Sequence, residues 1–354
     1  MRQVLFEIFG WPIYGYGLLV VIAFYSGTRL AARRAQRENI DPNLIWDLAF
    51  WLFVGGIFGA RLFFVIQKWD QFLNPIAEFF ALWRGGLVVY GAAIGGLAAF
   101  LLFARLKSLR GLQLLDIITP SLALGMGIGR LGCLMNGCCY GDYCEQSWAL
   151  RFPAGSPPAY RMTSFGHQSP LGFVVNPNDA RVLFLEPGSS AALAGLRTGD
   201  RVLKIQGEAI EPQPLLNGRI ADILKMKEDF QIESAPYTLE VARDGKSITL
   251  NVHAPWSLPV QPTQIYSSIS GFLLFFFLSA YYPLRRRIGE VTALFAMLYA
   301  IGRFLVEFLR FDERPLFDGL TISQNISIIF FVCGLAFWLW LRFSGKAPTR
   351  TAPG

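Results

Sequence analysis

Charge is scarce in this chain. Asp, Glu, Lys and Arg make up only 16% of its 354 residues, against roughly 25% in soluble globular domains. A water-soluble body is therefore excluded for most of its length. Histidine is scarcer still. The two present, His167 and His253, lie in or beside one polar stretch, so no histidine base can work among the apolar runs. There is no His-Glu-x-x-His, which excludes the common zinc metalloprotease signature. Long basic tracts are also missing. The arginines sit in short segments beside apolar runs, which speaks against nucleic acid as a partner.

What the chain has in quantity is apolar surface: 53% of its residues are hydrophobic and 15% aromatic. Runs of about twenty such residues are long enough to cross a bilayer. Seven spans are predicted, at Trp11–Ala32, Trp46–Ile66, Gly86–Ala104, Leu114–Leu134, Ile265–Tyr282, Val291–Leu309 and Thr321–Leu341. Arg29, Arg33, Arg34 and Arg37 follow the first span, and Arg105, Lys107 and Arg110 the third. Arg285, Arg286 and Arg287 follow the fifth, and Arg342, Lys346 and Arg350 the seventh. All four clusters fall on one side, which the positive-inside rule makes cytoplasmic. The N-terminus is then expected outside, and so is the long stretch between the fourth and fifth spans.

That stretch differs from the rest. Residues 165–254 carry nine Lys/Arg and eleven Asp/Glu, a net of −2, so the remainder holds +9. Residues 136–164 read as loop. Strands are predicted at Phe173–Val175, Arg181–Leu185 and within Leu196–Ile205, with a short serine-capped helix in Glu186–Gly195. An amphipathic helix is expected over Ile220–Lys227, and a hairpin joins Tyr237–Ala242 to Ser247–Val252 through Asp244-Gly245. The series from Pro187 through Gly188, Ser189, Ala191 and Ala194 to Gly195-Leu196 and Gly199-Asp200 resembles a PDZ domain. The resemblance implies that the backbone of Leu171, Gly172 and Phe173 cradles the carboxylate of a peptide added as an extra strand. A spacer that binds no peptide remains the alternative.

The apolar portion is organised around Gly127–Gly141, Gly-Ile-Gly-Arg-Leu-Gly-Cys-Leu-Met-Asn-Gly-Cys-Cys-Tyr-Gly. Arg130 lies in a run that otherwise reads as membrane helix, and an ionisable residue there marks a functional site by default. In the sixth span Tyr299, Arg303, Glu307 and Arg310 fall at roughly 0°, 40°, 80° and 20° around a helix turning ~100° per residue, along about 16 Å of rise. An Arg303–Glu307 ion pair that merely locks helices is the bland alternative. Three arginines to one glutamate instead suit a phosphate, which guanidinium binds bidentately. Cys133, Cys138, Cys139 and Cys144 could suggest a metal. Adjacent Cys138-Cys139 is awkward for a closed tetrahedral site, however, so neither metal nor other cofactor is expected. A disulfide among Cys138, Cys139 and Cys144 is preferred on a side facing an oxidising compartment. Cys333 reads as apolar filler.

Several blocks carry a second resemblance. They are Tyr14-Gly15-Tyr16-Gly17, Gly59-Ala60-Arg61-Leu62, Gly85-Gly86-Leu87, Gly129-Arg130-Leu131-Gly132 with Asn136-Gly137, and Pro262-Thr263-Gln264-Ile265-Tyr266. The span-six stripe and Gly319-Leu320-Thr321 complete the order. Together they resemble the prolipoprotein diacylglyceryl transferase family over the whole membrane portion. The resemblance implies transfer of the diacylglyceryl group of phosphatidylglycerol to a cysteine thiol of a prolipoprotein, with release of glycerol phosphate, in a bacterial inner membrane. It implies that Arg130 and Arg303 hold the phosphate. Tyr299, Glu307 and Asn136 then position the head group or the arginines. Arg310, Arg61, Tyr16, Gln264 and Tyr266 are expected to contact or support substrate. The attacking thiol is the substrate's own.

The chain also departs from that pattern. Tyr90 stands where the family usually has a histidine, and tyrosine ordinarily titrates near pH ~10. Cys133 replaces a common asparagine, Cys138 a glutamate, and Gln261 and Ser267 a histidine and a glutamate. Either another group takes the proton or catalysis is lost. The expectation is therefore a polytopic all-α membrane protein of seven helices with an inserted, mainly-β PDZ-like domain. It divides into 1–135, helices one to four; 136–164, a loop; 165–254, the insert; 255–345, helices five to seven; and 346–354, a tail. Phosphatidylglycerol and prolipoprotein signal peptides are the expected partners, with Tyr90 orienting the substrate. The runner-up is a silent lipid-binding scaffold whose insert tethers a partner.

Overall fold

A computed structural model describes residues 4–69, 79–80, 86–154, 156–164, 167–213, 220, 236–310 and 319–344. Gly85, the helix predicted after Ile220 and the tail 346–354 lie outside the described residues. Among the described residues, six helices are long and apolar enough to cross a membrane, by length and composition. They are α1 (Gly15–Arg37), α2 (Pro42–Gln67), α3 (Val89–Leu106), α4 (Gly111–Asn136), α7 (Thr263–Tyr281, extended by a 3-10 turn to Leu284) and α9 (Ile322–Phe343). The remaining predicted span is α8 (Glu290–Glu307), 18 residues that carry Glu290, Arg303 and Glu307 and fall outside those six.

Two boundaries differ from expectation. Trp11–Tyr14 is not helical. It is strand β2, paired antiparallel with β1 (Val4–Ile8) through a turn at Phe9-Gly10, where both residues take positive φ. Aromatic and β-branched residues in a row fit a strand as well as a span start, and the turn decides between them. Helix α8 stops at Glu307, so Arg310 lies beyond it and the four-residue helical stripe is really three.

The chain divides into two compact units. One holds residues 19–129, 268–304 and 322–354. Its core gathers Ala31, Ala35, Leu48, Phe103, Leu114, Ile117, Leu278 and Val291. Helices α2 and α3 approach backbone to backbone, because Gly55 and Gly59 face Gly91 and Gly95. A Cβ on Gly59 would stand 2.3 Å from the Gly91 carbonyl oxygen, and one on Gly95 2.2 Å from that of Gly55. This is the small-residue packing that brings membrane helices together. A cavity of about 470 Å³ lies within the same unit, lined almost wholly by apolar residues from Val20, Phe24 and Leu48 to Met126 and Gly129.

The other unit holds residues 1–18, 130–267 and 305–321. Beyond helix α5 (Pro157–Ser164) come strands β3 (Phe173–Val175) and β4 (Val182–Leu185), which form a two-stranded sheet. A four-stranded sheet follows in the order β6-β5-β7-β8, from β5 (Arg201–Ile205), β6 (Glu208–Ala209), β7 (Tyr237–Arg243) and β8 (Lys246–Val252). The predicted hairpin is β7–β8, pairing Arg243 with Lys246 across Asp244-Gly245. The one-turn helix α6 (Ser190–Leu193) is capped by Ser189, whose hydroxyl accepts the Ala192 amide at 3.2 Å. Alternating residues of both sheets bury Phe173, Val175, Val182, Val202, Ile205, Leu239, Val241 and Val252 in one core. Asp200 closes it: both carboxylate oxygens accept from Arg243, at 2.7 and 2.6 Å, and the Arg197 amide adds a third bond at 2.8 Å.

Candidate active site

Helix α4 delivers Arg130 two turns before its end and Asn136 at its last residue. The chain then reverses at Gly137 and Cys139, both with positive φ, and runs as a loop against the start of α7. Gly141 shows how tight that fit is. A Cβ there would meet the Leu309 carbonyl oxygen at 2.4 Å and the Gln261 Cβ at 2.5 Å. The Gly141 amide donates to the Gln261 carbonyl and the Asp142 amide to that of Leu309, each at 2.9 Å. Gln264, fully buried, donates Nε2 to the Cys138 carbonyl at 2.9 Å, and Thr263 donates its hydroxyl to the Cys139 carbonyl at 2.7 Å. Tyr266 is one turn on and donates to Gln261 Oε1 at 2.9 Å. It therefore supports the loop from the side.

Arg310 folds back on the end of α8, with Nε 3.7 Å from Glu307 Oε2. Glu307 is 3% exposed and also accepts the Thr321 hydroxyl at 3.1 Å. Burial of a carboxylate is costly unless its charge is met, and Arg310 and Thr321 meet it here. Arg130 is different: among the described residues no carboxylate pairs with it. Its nearby groups include Cys139 and Tyr16, on which its charge acts. Tyr16 packs over α4 where Gly132 leaves room, since a Cβ on Gly132 would stand 3.0 Å from the tyrosine ring. Asn136 hydrogen-bonds the Cys138 thiol. Hydrogen bonds from the Cys133 and Cys138 thiols, with Arg130 and Arg310 nearby, hold the Cys139 thiol below its ordinary pKa despite burial. All five cysteines are free thiols, and the one grouped with Cys138 and Cys139 is Cys133, not Cys144.

The structure thus gathers Tyr16, Arg130, Asn136, Gln264, Tyr266, Glu307 and Arg310 in one unit. Leu171, Gly172 and Phe173 belong to the same unit but to its β-rich region. Gly172 takes φ +80 with its carbonyl accepting the Glu186 amide at 2.9 Å, while Leu171 and Phe173 are buried in the core.

Arg61, Tyr90, Tyr299 and Arg303 lie in the other unit. Arg303 donates to the Ser323 hydroxyl at 2.8 Å, and Tyr299 stacks on Phe295 with ring centroids 5.6 Å apart. Arg61 is 1% exposed, donates to the Gly86 carbonyl at 3.1 Å and lies 5.0 Å over the Phe64 ring. That pins the chain just before α3. Tyr90, on the first turn of α3, is half exposed.

Two further polar residues hold this unit together: Asp116, absent from the sequence-based reading, and Arg34, read there only as part of the basic cluster after the first span. Asp116, fully buried on α4, accepts from the Gly289 and Thr292 amides at 2.7 and 2.9 Å and so caps α8. Arg34 donates to the Ser121 and Ser279 hydroxyls at 2.9 and 3.0 Å. A polar residue inside an apolar run was the available signal for Asp116.

Fold and site define a multi-pass membrane protein whose apolar helices carry a small basic, thiol-rich centre. The chain belongs to the prolipoprotein diacylglyceryl transferase family, whose sequence model matches residues 3–340. It is 31% identical to the phosphatidylglycerol–prolipoprotein diacylglyceryl transferase of Rhodopirellula baltica, over 98% of this chain and 75% of that protein. Identity to the transferase of Clostridium tetani is 28%, over 95% of this chain and 96% of the relative. The Synechococcus elongatus transferase is 43% identical over 46% of this chain and 57% of its own length.

Proposed function

We propose that this protein is an enzyme that transfers the diacylglyceryl group of phosphatidylglycerol to the thiol of a prolipoprotein cysteine, releasing glycerol phosphate. The observation that carries the reading is Arg130, a membrane-helix arginine with no carboxylate partner among the described residues, placed beside a loop held by Gln264 and Tyr266. A departing phosphate gains charge, and a preorganised guanidinium in a poorly hydrated site stabilises that gain. Arg130 and Arg303 hold the phosphate. Glu307 steers Arg310, and Asn136, Tyr299 and Tyr16 orient the head group and the arginines. Tyr90 orients the substrate without acting as a base, and the phosphate takes the proton. The apolar cavity within the helical unit has the kind of lining that takes up acyl chains.

Helix α8 is the seventh span in this reading. Its 18 residues rise about 27 Å, close to the roughly 30 Å hydrocarbon core. Glu290, Arg303 and Glu307 each have polar partners, which makes crossing tolerable. The protein then sits in the bacterial inner membrane with residues 165–254 on the periplasmic side, where prolipoproteins arrive. That insert is PDZ-like and recruits or sorts substrates. The resemblance assigns the peptide carboxylate to the loop at Leu171-Gly172-Phe173, where Leu171 and Phe173 anchor the turn in the core.

The test is complementation of a strain depleted of its own transferase, by the full chain and by Arg130→Ala. Growth with the full chain and none with the variant is expected. Failure of the full chain, expressed and inserted, overturns the reading and favours the lipid-binding scaffold.

A further inference from the structure

Three thiols sit together with no role in the transfer described above. The sulfurs of Cys133, Cys138 and Cys139 all lie within 4.8 Å of one another, and each residue is partly buried. Cys133 is on the last turn of α4, and the other two follow that helix. Adjacent residues of an extended chain point their side chains to opposite faces. Here Cys139 adopts φ +60 and Gly137 φ +72, and the reversed chain brings both adjacent sulfurs to Cys133. A left-handed, non-glycine residue of this kind persists only where its surroundings enforce it, and such residues concentrate at functional sites.

The surroundings are visible. The Cys138 amide donates to the Cys133 carbonyl at 3.1 Å, Gln264 holds the Cys138 carbonyl and Thr263 the Cys139 carbonyl. These bonds fix the backbone that carries the sulfur triangle. The Cys138 thiol itself makes a long 3.7 Å bond to the Cys133 carbonyl, besides its contacts with Asn136 and the other two thiols.

A disulfide would draw two sulfurs to about 2.05 Å and strand the third. Three thiolates around a tetrahedral ion at ~2.3 Å stand roughly 3.8 Å apart, which the triangle accommodates. Thiolates select soft or borderline ions such as Zn²⁺. Three protein ligands with one open position is the arrangement of catalytic rather than structural zinc. Three thiolates and a dication sum to one negative charge, and Arg130 and Arg310 are near enough to act on Cys139. The net charge of the filled site is therefore compensated.

We propose that Cys133, Cys138 and Cys139 bind a thiophilic divalent cation of the Zn²⁺ type, and that its fourth position receives the thiol of the substrate cysteine. The second half rests on the transferase reading. A thiol that coordinates such an ion gives up its proton, so the reaction needs no histidine where Tyr90 stands. The sulfur lone pair forms the new bond to the glyceryl carbon. The bond from that carbon to the phosphate oxygen breaks, and its electron pair leaves with the phosphate. The thiol proton ends on the released glycerol phosphate. The adjacency of Cys138 and Cys139, awkward in an extended chain, is resolved by the turn at Cys139.

The experiment uses the reduced full chain in detergent, with Co²⁺ as the optical probe. We expect one Co²⁺ per chain with sulfur-to-cobalt charge-transfer absorption. Cys133→Ser, Cys138→Ser and Cys139→Ser should each abolish it, while Cys144→Ser and Cys333→Ser keep it. A short lipobox peptide should then intensify the absorption, and the same peptide with serine for cysteine should not. No absorption in the reduced unmodified chain overturns the site without recourse to variants. So does absorption that survives any of the three substitutions, or a disulfide within the trio that persists in the presence of the metal. A cobalt site blind to the cysteine peptide overturns the substrate position. Intact absorption in a chain that transfers nothing overturns the transferase reading alone.

Discussion

Asp116 and Asp200 are both buried carboxylates, one on a membrane helix and one in the β-rich stretch, and they are satisfied by different means. Asp116 gives its oxygens to backbone amides at the start of α8 and to the Thr292 hydroxyl, with Arg285 Nε 3.6 Å away. Asp200 is clamped by the forked guanidinium of Arg243, whose side chain remains one-fifth exposed. In the helical unit the polar groups that hold the fold come from helices far apart in sequence, because no water is at hand to substitute. In the β-rich region a charged pair closes the margin of the core, and its arginine stays partly exposed to water. The first arrangement ties stability to helix packing; the second ties it to charge, and therefore to pH.

The largest expected effect separates the two regions by function. Arg130→Ala should lower transfer to a lipobox peptide by about 10²–10³-fold, the cost of removing one charge-stabilising donor. Limited proteolysis of residues 165–254 should stay unchanged. Full activity in this variant would leave the phosphate-binding role without support. Next comes Glu307→Gln, which removes the countercharge that places Arg310. Transfer should fall by roughly 10²-fold, the scale of an ångström-sized misplacement, read from kcat with the protein still inserted.

Asp200→Asn probes the other side of the comparison. It should destabilise the β-rich region by about 2 kcal/mol, since hydrogen bonds to charged groups are lost. Proteolysis there should accelerate while transfer to a short peptide is maintained. Acidification should act in the same direction. The Arg243 guanidinium holds Asp200 below the usual carboxylate range. The stabilisation is thus complete above the unfolded value near ~3.9 and fades as pH falls through the lower folded value. Proteolysis across pH 7 to 3 should open residues 165–254 before the helices; simultaneous opening would break the comparison. The smallest effect is expected from Tyr90→Phe. A true general base contributes ~10²–10⁴-fold, so a loss under about tenfold keeps the base elsewhere, and a larger one would return that role to the tyrosine.

Much of this was legible in the residues. Apolar runs located the helices to within a few positions, because hydropathy is a local property. Asp244-Gly245 announced the β7–β8 hairpin for the same reason. Arg130 stood out as a charge inside an apolar run. The N-terminal hairpin was hidden, since Trp11–Tyr14 is apolar whether strand or helix. Arg310 was misplaced by assuming that α8 continued past Glu307. The preferred disulfide grouped Cys138 and Cys139 with Cys144, whereas the fold groups them with Cys133, because spacing along a chain does not reveal a reversal.

Composition and motif order by themselves determined that this is a membrane protein of a lipid-modifying family with a polar insertion. Those features reside in single residues and their neighbours. Only the tertiary structure decided that Asp116 caps a helix starting at Glu290 and that Glu307 belongs to Arg310 and Thr321. It also decided that three cysteines share one corner while a fourth stands apart. Each is a contact set by where helices end and how the backbone turns between them, and those turns take their energy from partners far away in the chain.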